Sequence, residues 1–184
     1  MPAKRRRSKA MKEALQKHLF GENMRVYAIL DGASIDDLPG KINELRPRNF
    51  CLYRGELDTD LAEVAPYVVE LAPQTYFTEW LLENCWGRHW GIFAHSPFSI
   101  NEVRKHFRKF LTVYDDAGNP LLFRYYDPRV LTQFLPACQP EELQQLFGGQ
   151  VMTFFAEASG TQDLFRYQFF NDRLQQSALD VKSN

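Results

Sequence analysis

Most of the signatures that mark a catalytic or cofactor site are missing from this sequence. The three cysteines, Cys51, Cys85 and Cys138, are widely spaced and odd in number, which fits neither a disulfide framework nor a zinc cluster. They read as reduced, buried thiols, as found in a cytoplasmic protein. No uncharged apolar run reaches about 18 residues, so no transmembrane helix is expected. The basic N-terminus is followed by no apolar core and does not read as a secretory signal. There is no Gly-x-Gly-x-x-Gly, no phosphate-binding P-loop and no Gly-x-Ser-x-Gly elbow. The histidines His18, His89, His95 and His106 stand in no His-Glu-x-x-His or Cys-x-x-Cys setting, so neither a metal nor a cofactor is expected.

What is present is a core. The hydrophobic share is 45% and there are 15 Phe in 184 residues, enough for one folded domain and incompatible with global disorder. Charge is uneven. Of 22 basic and 23 acidic residues, residues 1–17 hold seven basic (Lys4, Arg5, Arg6, Arg7, Lys9, Lys12, Lys17) and one acidic, Glu13. The remainder carries 15 basic and 22 acidic residues, a net of −7. A duplex-binding domain needs a basic body, so nucleic acid is the weakest partner class. The leader is either a contact for an acidic partner or a solvated helix face.

The pattern divides into a basic tail and helix (1–24), a single α/β domain (25–172) and a C-terminal tail (173–184). A frayed Pro2–Arg7 leads into a helix from about Ser8 to Phe20, striped by Met11, Ala14, Leu15, His18 and Leu19. Strands are expected at 25–30, 50–53, 67–71 and 90–94, with helices near 35–45 and 75–86 and a turn from Asp58 to Val64. Ser99 and Glu102 have capping-box spacing. They open a helix with Ile100, Val103, Phe107, Phe110 and Leu111 inward and Arg104, Lys105, Arg108 and Lys109 outward. Those four cations are a solvated face or a site for phosphate or an acidic peptide. Asp115-Asp116-Ala117-Gly118-Asn119 has hairpin chemistry between strands at 112–114 and 120–126. Helices follow at 128–135, ended by Pro136, and at 140–147, closed by Gly148-Gly149. A second hairpin spans 151–157 and 164–170 around Ser159-Gly160-Thr161, and a short helix is expected after Asp172. Alternating strands and helices in the first half predict a mixed, partly parallel sheet flanked by helices, with antiparallel hairpins in the second half.

The densest stretch is Phe123-Arg124-Tyr125-Tyr126-Asp127-Pro128-Arg129, a strand-to-helix joint. Asp127 has the chemistry of an N-cap and Pro128 that of the first helical residue. Arg124 needs an acidic partner if buried. Tyr53, Trp86, Trp90, Tyr125, Tyr126 and Phe134 suit a core, yet Tyr, Trp and Arg also anchor protein contacts. Arg124, Tyr126, Asp127 and Arg129, with Phe134, Tyr53 and Trp90, are therefore the candidate joint-forming or partner-binding residues. Two other readings stay open. One is a small hydrolase using His95 and Ser96 or the acids Asp31, Glu56 and Asp58, with Asp31-Gly32-Ala33 placed where α/β proteins often bind ligands. The other is a nucleic-acid binder working through residues 4–17 and 104–109.

The order of segments carries a resemblance. Tyr27-Ala28-Ile29-Leu30-Asp31-Gly32-Ala33 is followed by Leu52-Tyr53-Arg54-Gly55, Ala65-Pro66-Tyr67-Val68-Val69-Glu70-Leu71 and Trp90-Gly91-Ile92-Phe93. Phe107-Arg108-Lys109-Phe110-Leu111, then Phe123 to Leu131, then Phe147-Gly148 complete the series. Over about residues 25–157 the chain resembles the effector adaptor, or effector chaperone, family of type VI secretion. The resemblance implies a non-enzymatic cytoplasmic protein of a Gram-negative bacterium. Such a protein binds a particular toxic effector and helps load it onto the trimeric spike protein. Gly148-Gly149 replaces the Gly-Pro of many relatives, which bears on the local turn. Many relatives also continue into a longer C-terminal lobe, whose grip on the effector is expected to be absent or reduced here.

Overall fold

The strand Arg25–Asp31 (β1) is the axis of the molecule. Six of its seven residues are buried, and its alternate side chains enter two separate cores, as the pleat requires. Val26, Ala28 and Leu30 face one; Tyr27 and Ile29 face the other. The computed structural model describes residues 2–158 and 163–181. The expected Ser159–Thr161 turn lies outside them, as do the side chains of Lys4, Arg5, Arg6 and Arg7.

In chain order the elements are α1 (Pro2–Phe20), β1, a 3-10 turn (Gly32–Ser34), α2 (Leu38–Leu45), β2 (Asn49–Cys51), α3 (Thr59–Val64), β3 (Pro66–Leu71), α4 (Tyr76–Asn84) and β4 (Gly91–Ser96). There follow α5 (Ile100–Phe107), a 3-10 turn (Arg108–Phe110), β5 (Thr112–Tyr114), β6 (Pro120–Leu122), α6 (Pro128–Ala137), α7 (Pro140–Phe147), β7 (Thr153–Glu157), β8 (Asp163–Phe170) and β9 (Arg173–Asp180). The main sheet has the order β2-β3-β1-β4-β7-β8-β9, and β5-β6 stand apart as a hairpin. Residues of α1, α2 and α4 enter the core on one face of the sheet, and those of α5, α6 and α7 enter the core on the other.

The mixed α/β class holds, but the partly parallel sheet does not. Every strand pairing among the described residues is antiparallel. The reason lies in β1. Both β3 and β4 are antiparallel to it, so β3-α4-β4 is a strand-helix-strand unit whose strands run the same way. The earlier β1 has inserted between them. The alternation in sequence is that of a parallel unit, while the pairing is not.

Three further expectations change. The strand expected through Tyr126 stops at Leu122, because Leu111, opposite Phe123, has helical backbone angles and Tyr125-Tyr126 enter a turn. The segment after Asp172 is a strand and not a helix: β9 pairs with β8 over its whole length. Leu179 packs on the core and Val181 is fully buried. The N-terminal helix begins at Pro2, where a frayed tail was expected.

Candidate functional site

Arg124 finds its acid at the end of β1. Its guanidinium is ion-paired with Asp31, whose carboxylate is 1% exposed and also accepts the Ser34 hydroxyl at 2.8 Å and the Ala33 amide at 3.2 Å. Asp31 thus caps the 3-10 turn and neutralises a cation from 93 residues away. Burial, the largest influence, pulls the Arg124 guanidinium down, but the bond to Asp31 and the charges of Asp31, Tyr126 and Asp127 together outweigh it and the net shift is upward. Tyr53 and Tyr126 lie beside the pair and feel its charges. Burial raises both phenols, and the Asp31 charge adds to the rise.

Asp127 behaves as the sequence predicts. Its carboxylate accepts the Arg129 amide at 2.9 Å and caps α6. It also receives the Arg129 side chain, from Nε at 3.0 Å and from Nη2 at 2.6 Å. Burial pushes the Asp127 carboxyl up, but these bonds bring it net below the ordinary carboxylate range. Arg129 is still half exposed. With Phe123, Val130, Gln133 and Phe134 it lines an open surface groove along α6, where Phe134 meets Phe123 edge to face at 4.7 Å. The neighbouring Tyr125 is wholly buried, its hydroxyl donating to the Phe107 carbonyl at 3.0 Å.

Six of the seven candidate residues therefore belong to one corner: Arg124, Tyr126, Tyr53, Asp127, Arg129 and Phe134. Trp90 does not. Its side chain lies in the opposite core, tilted against Trp80 with ring centroids 5.4 Å apart and with the Arg88 guanidinium over its ring. Only its backbone touches the corner, through the Asp31 amide bonded to the Trp90 carbonyl.

The residues of the hydrolase reading are scattered. His95 pairs with Val26 at the far end of β1 from Asp31, roughly 16 Å along the strand. It is fully buried, and its Nε2 donates to the Leu19 carbonyl at 2.7 Å. The Ser96 hydroxyl accepts the Phe98 amide. Asp58 caps α3 by accepting the Leu61 amide at 2.8 Å. Among the described residues no group of three or more His, Cys, Asp or Glu is placed to hold a metal.

One structural residue was missed. Arg108, expected on a solvated face, donates to the carbonyls of Cys51, Leu52 and Tyr53 at 2.7–3.0 Å, fixing the segment that presents Tyr53. Arg104 lies over the Phe50 ring at 4.2 Å. Neither contact has a sequence signal, because a helical arginine next to lysines reads as solvated.

The fold and this corner define a mixed α/β protein with a half-buried ion pair at the end of β1 and a surface groove beside it. No helix among the described residues is long and apolar enough to cross a membrane. Residues 26–145, more than half of the chain, match the model of the domain of unknown function DUF4123, and the chain belongs to that family. No curated protein and no solved structure matches it.

Proposed function

We propose that this protein is a non-enzymatic cytoplasmic adaptor that binds a toxic effector and promotes its loading onto the trimeric spike protein of a type VI secretion apparatus. The family match carries this reading. It spans most of the ordered motif series by which the chain resembles effector adaptors, including the whole corner from Phe123 to Phe134. The commitments of the titratable groups support it further. Asp31 is spent on Arg124 and His95 on the end of α1, which leaves neither poised for hydrolysis.

The test is co-expression with the products of the neighbouring genes, a toxin and a spike protein being expected among them, followed by affinity and size-exclusion chromatography. A stable complex with at least one of them is expected, and none with either overturns the proposal. Arg129→Ala should weaken capture, since half of this side chain faces the groove. It leaves the backbone cap on Asp127 intact but removes the side-chain bonds to a buried carboxylate, so stability should fall by about 1–2 kcal/mol. A variant that loses capture by unfolding would show the corner to be structural.

A further inference from the structure

The hairpin β5-β6 is the most unusual surface feature of the molecule. It belongs to no larger sheet, and all six of its strand residues are exposed. Val113, Tyr114, Leu121 and Leu122, between 40% and 70% exposed, are four of the nine exposed large hydrophobics among the described residues. An isolated two-stranded hairpin is marginal in water, yet this one is built to persist. At its tip the Asp115 carboxylate accepts the amides of Ala117 and Asn119 and the Asn119 side chain. At its base the Phe123 amide is tied to the Leu111 carbonyl.

Register separates the two faces. Thr112 pairs with Leu122, Val113 with Leu121, and Tyr114 with Pro120, so Thr112, Tyr114 and Leu122 project together. These three line a groove with Leu52, Tyr53 and Leu111, and its remaining lining residues are Arg54, Arg108 and Lys109. No carboxylate lines it. Arg54 and Lys109 are exposed and form no ion pair among the described residues. Arg108 is bound to carbonyls only. Its guanidinium is held below its ordinary value by burial and then by the charge of Arg104, with Arg54 adding to the effect. A groove whose charged lining residues are all cations, on a chain whose residues beyond 17 carry a net −7, is a local inversion of sign.

We propose that this groove, floored by the β5-β6 hairpin and rimmed by Arg54 and Lys109, docks an acidic segment of a partner protein, with large apolar side chains on Tyr114 and Leu122 and flanking carboxylates on the two cations. Charge complementarity selects the acidic character. The leucines and tyrosines select a polypeptide over a nucleic acid, because a phosphate backbone leaves the leucines uncovered. The proposal deepens the adaptor reading and rests on it for the biological partner, but the groove is tested by itself.

A library of short random peptides is selected on the full chain, with Lys109→Glu and Leu122→Ser variants as counter-targets. The best peptides are then synthesised with a fluorophore and titrated by anisotropy. Enriched peptides should pair Asp or Glu with Leu, Phe, Tyr or Trp. They should bind each variant about tenfold more weakly and weaken as salt is raised. Both positions are exposed, so circular dichroism should show unchanged folding. Lack of enrichment, enrichment without acidic residues, or equal binding to the variants overturns the proposal. So does tight binding of a short single-stranded DNA that survives Leu122→Ser, which would make this a polyanion face. Failure here with a toxin or spike complex still forming removes the groove and leaves the adaptor. Success here without such a complex does the reverse.

Discussion

At the scale of single residues, the Arg124–Asp31 pair is the contact on which the corner depends. Asp31 is buried and Arg124 is partly exposed, so removing the cation strands a carboxylate with little water. Arg124→Ala should cost about 2–3 kcal/mol, below the full price of breaking a wholly buried pair because part of the guanidinium reaches solvent. Urea denaturation measures it, and an unchanged midpoint would show the pair to be idle. The need for such a partner could be read from the sequence, because an arginine in an apolar run requires an acid. Its identity could not, since Asp31 lies 93 residues away and ends a strand that also suited a ligand site. Asp127 was legible throughout, because a cap is a contact between a side chain and its own next turn.

At the scale of elements, two buried histidines hold helices to the rest of the fold. His95 donates to the Leu19 carbonyl in the last turn of α1, and His106 donates from α5 to the Leu146 carbonyl in α7 at 2.6 Å. Burial lowers both imidazoles below the ordinary value. For His95, Arg166 adds to the fall while the Leu19 bond and Glu22 oppose it; for His106, Lys109 adds to it while the Leu146 bond opposes. The folded state therefore favours the neutral rings. Their contribution is complete above the unfolded value of about 6.5 and is lost as pH falls through the folded values. Unfolding free energy should drop on acidification from near neutrality, by up to about 1.4 kcal/mol per pH unit for each ring. Asp127, Glu102 and Asp115, all lowered, act in a separate window below about pH 4. A His95→Gln, His106→Gln double variant keeps a donor at each site and should flatten the near-neutral slope. A slope that persists would assign it to other groups. The same helix α7 accounts for the departure at Gly148-Gly149. Both glycines have positive φ, 56° and 67°, and a proline cannot adopt that angle at position 149.

At the scale of the whole molecule, the described C-terminal residues are part of the sheet. The strand β9 completes eight residue pairs with β8, and Val181 is sealed in the core. A chain stopped at Asn171 would bare the edge of β8, which carries Phe165, Phe169 and Phe170. It should melt at a lower temperature and elute as aggregate in size-exclusion chromatography. A monomer of unchanged melting temperature would return residues 173–184 to the status of a tail. Local chemistry set most of the helices, the caps, the Asp115–Asn119 turn and the α/β class, because helical period, capping spacing and turn residues act within a few positions of one another. Strand order, the antiparallel insertion of β1 between β3 and β4, the partner of Arg124 and the clamp made by Arg108 were settled by contacts between residues far apart in the chain. Such contacts depend on which surfaces bury best together, and no short window of sequence records that.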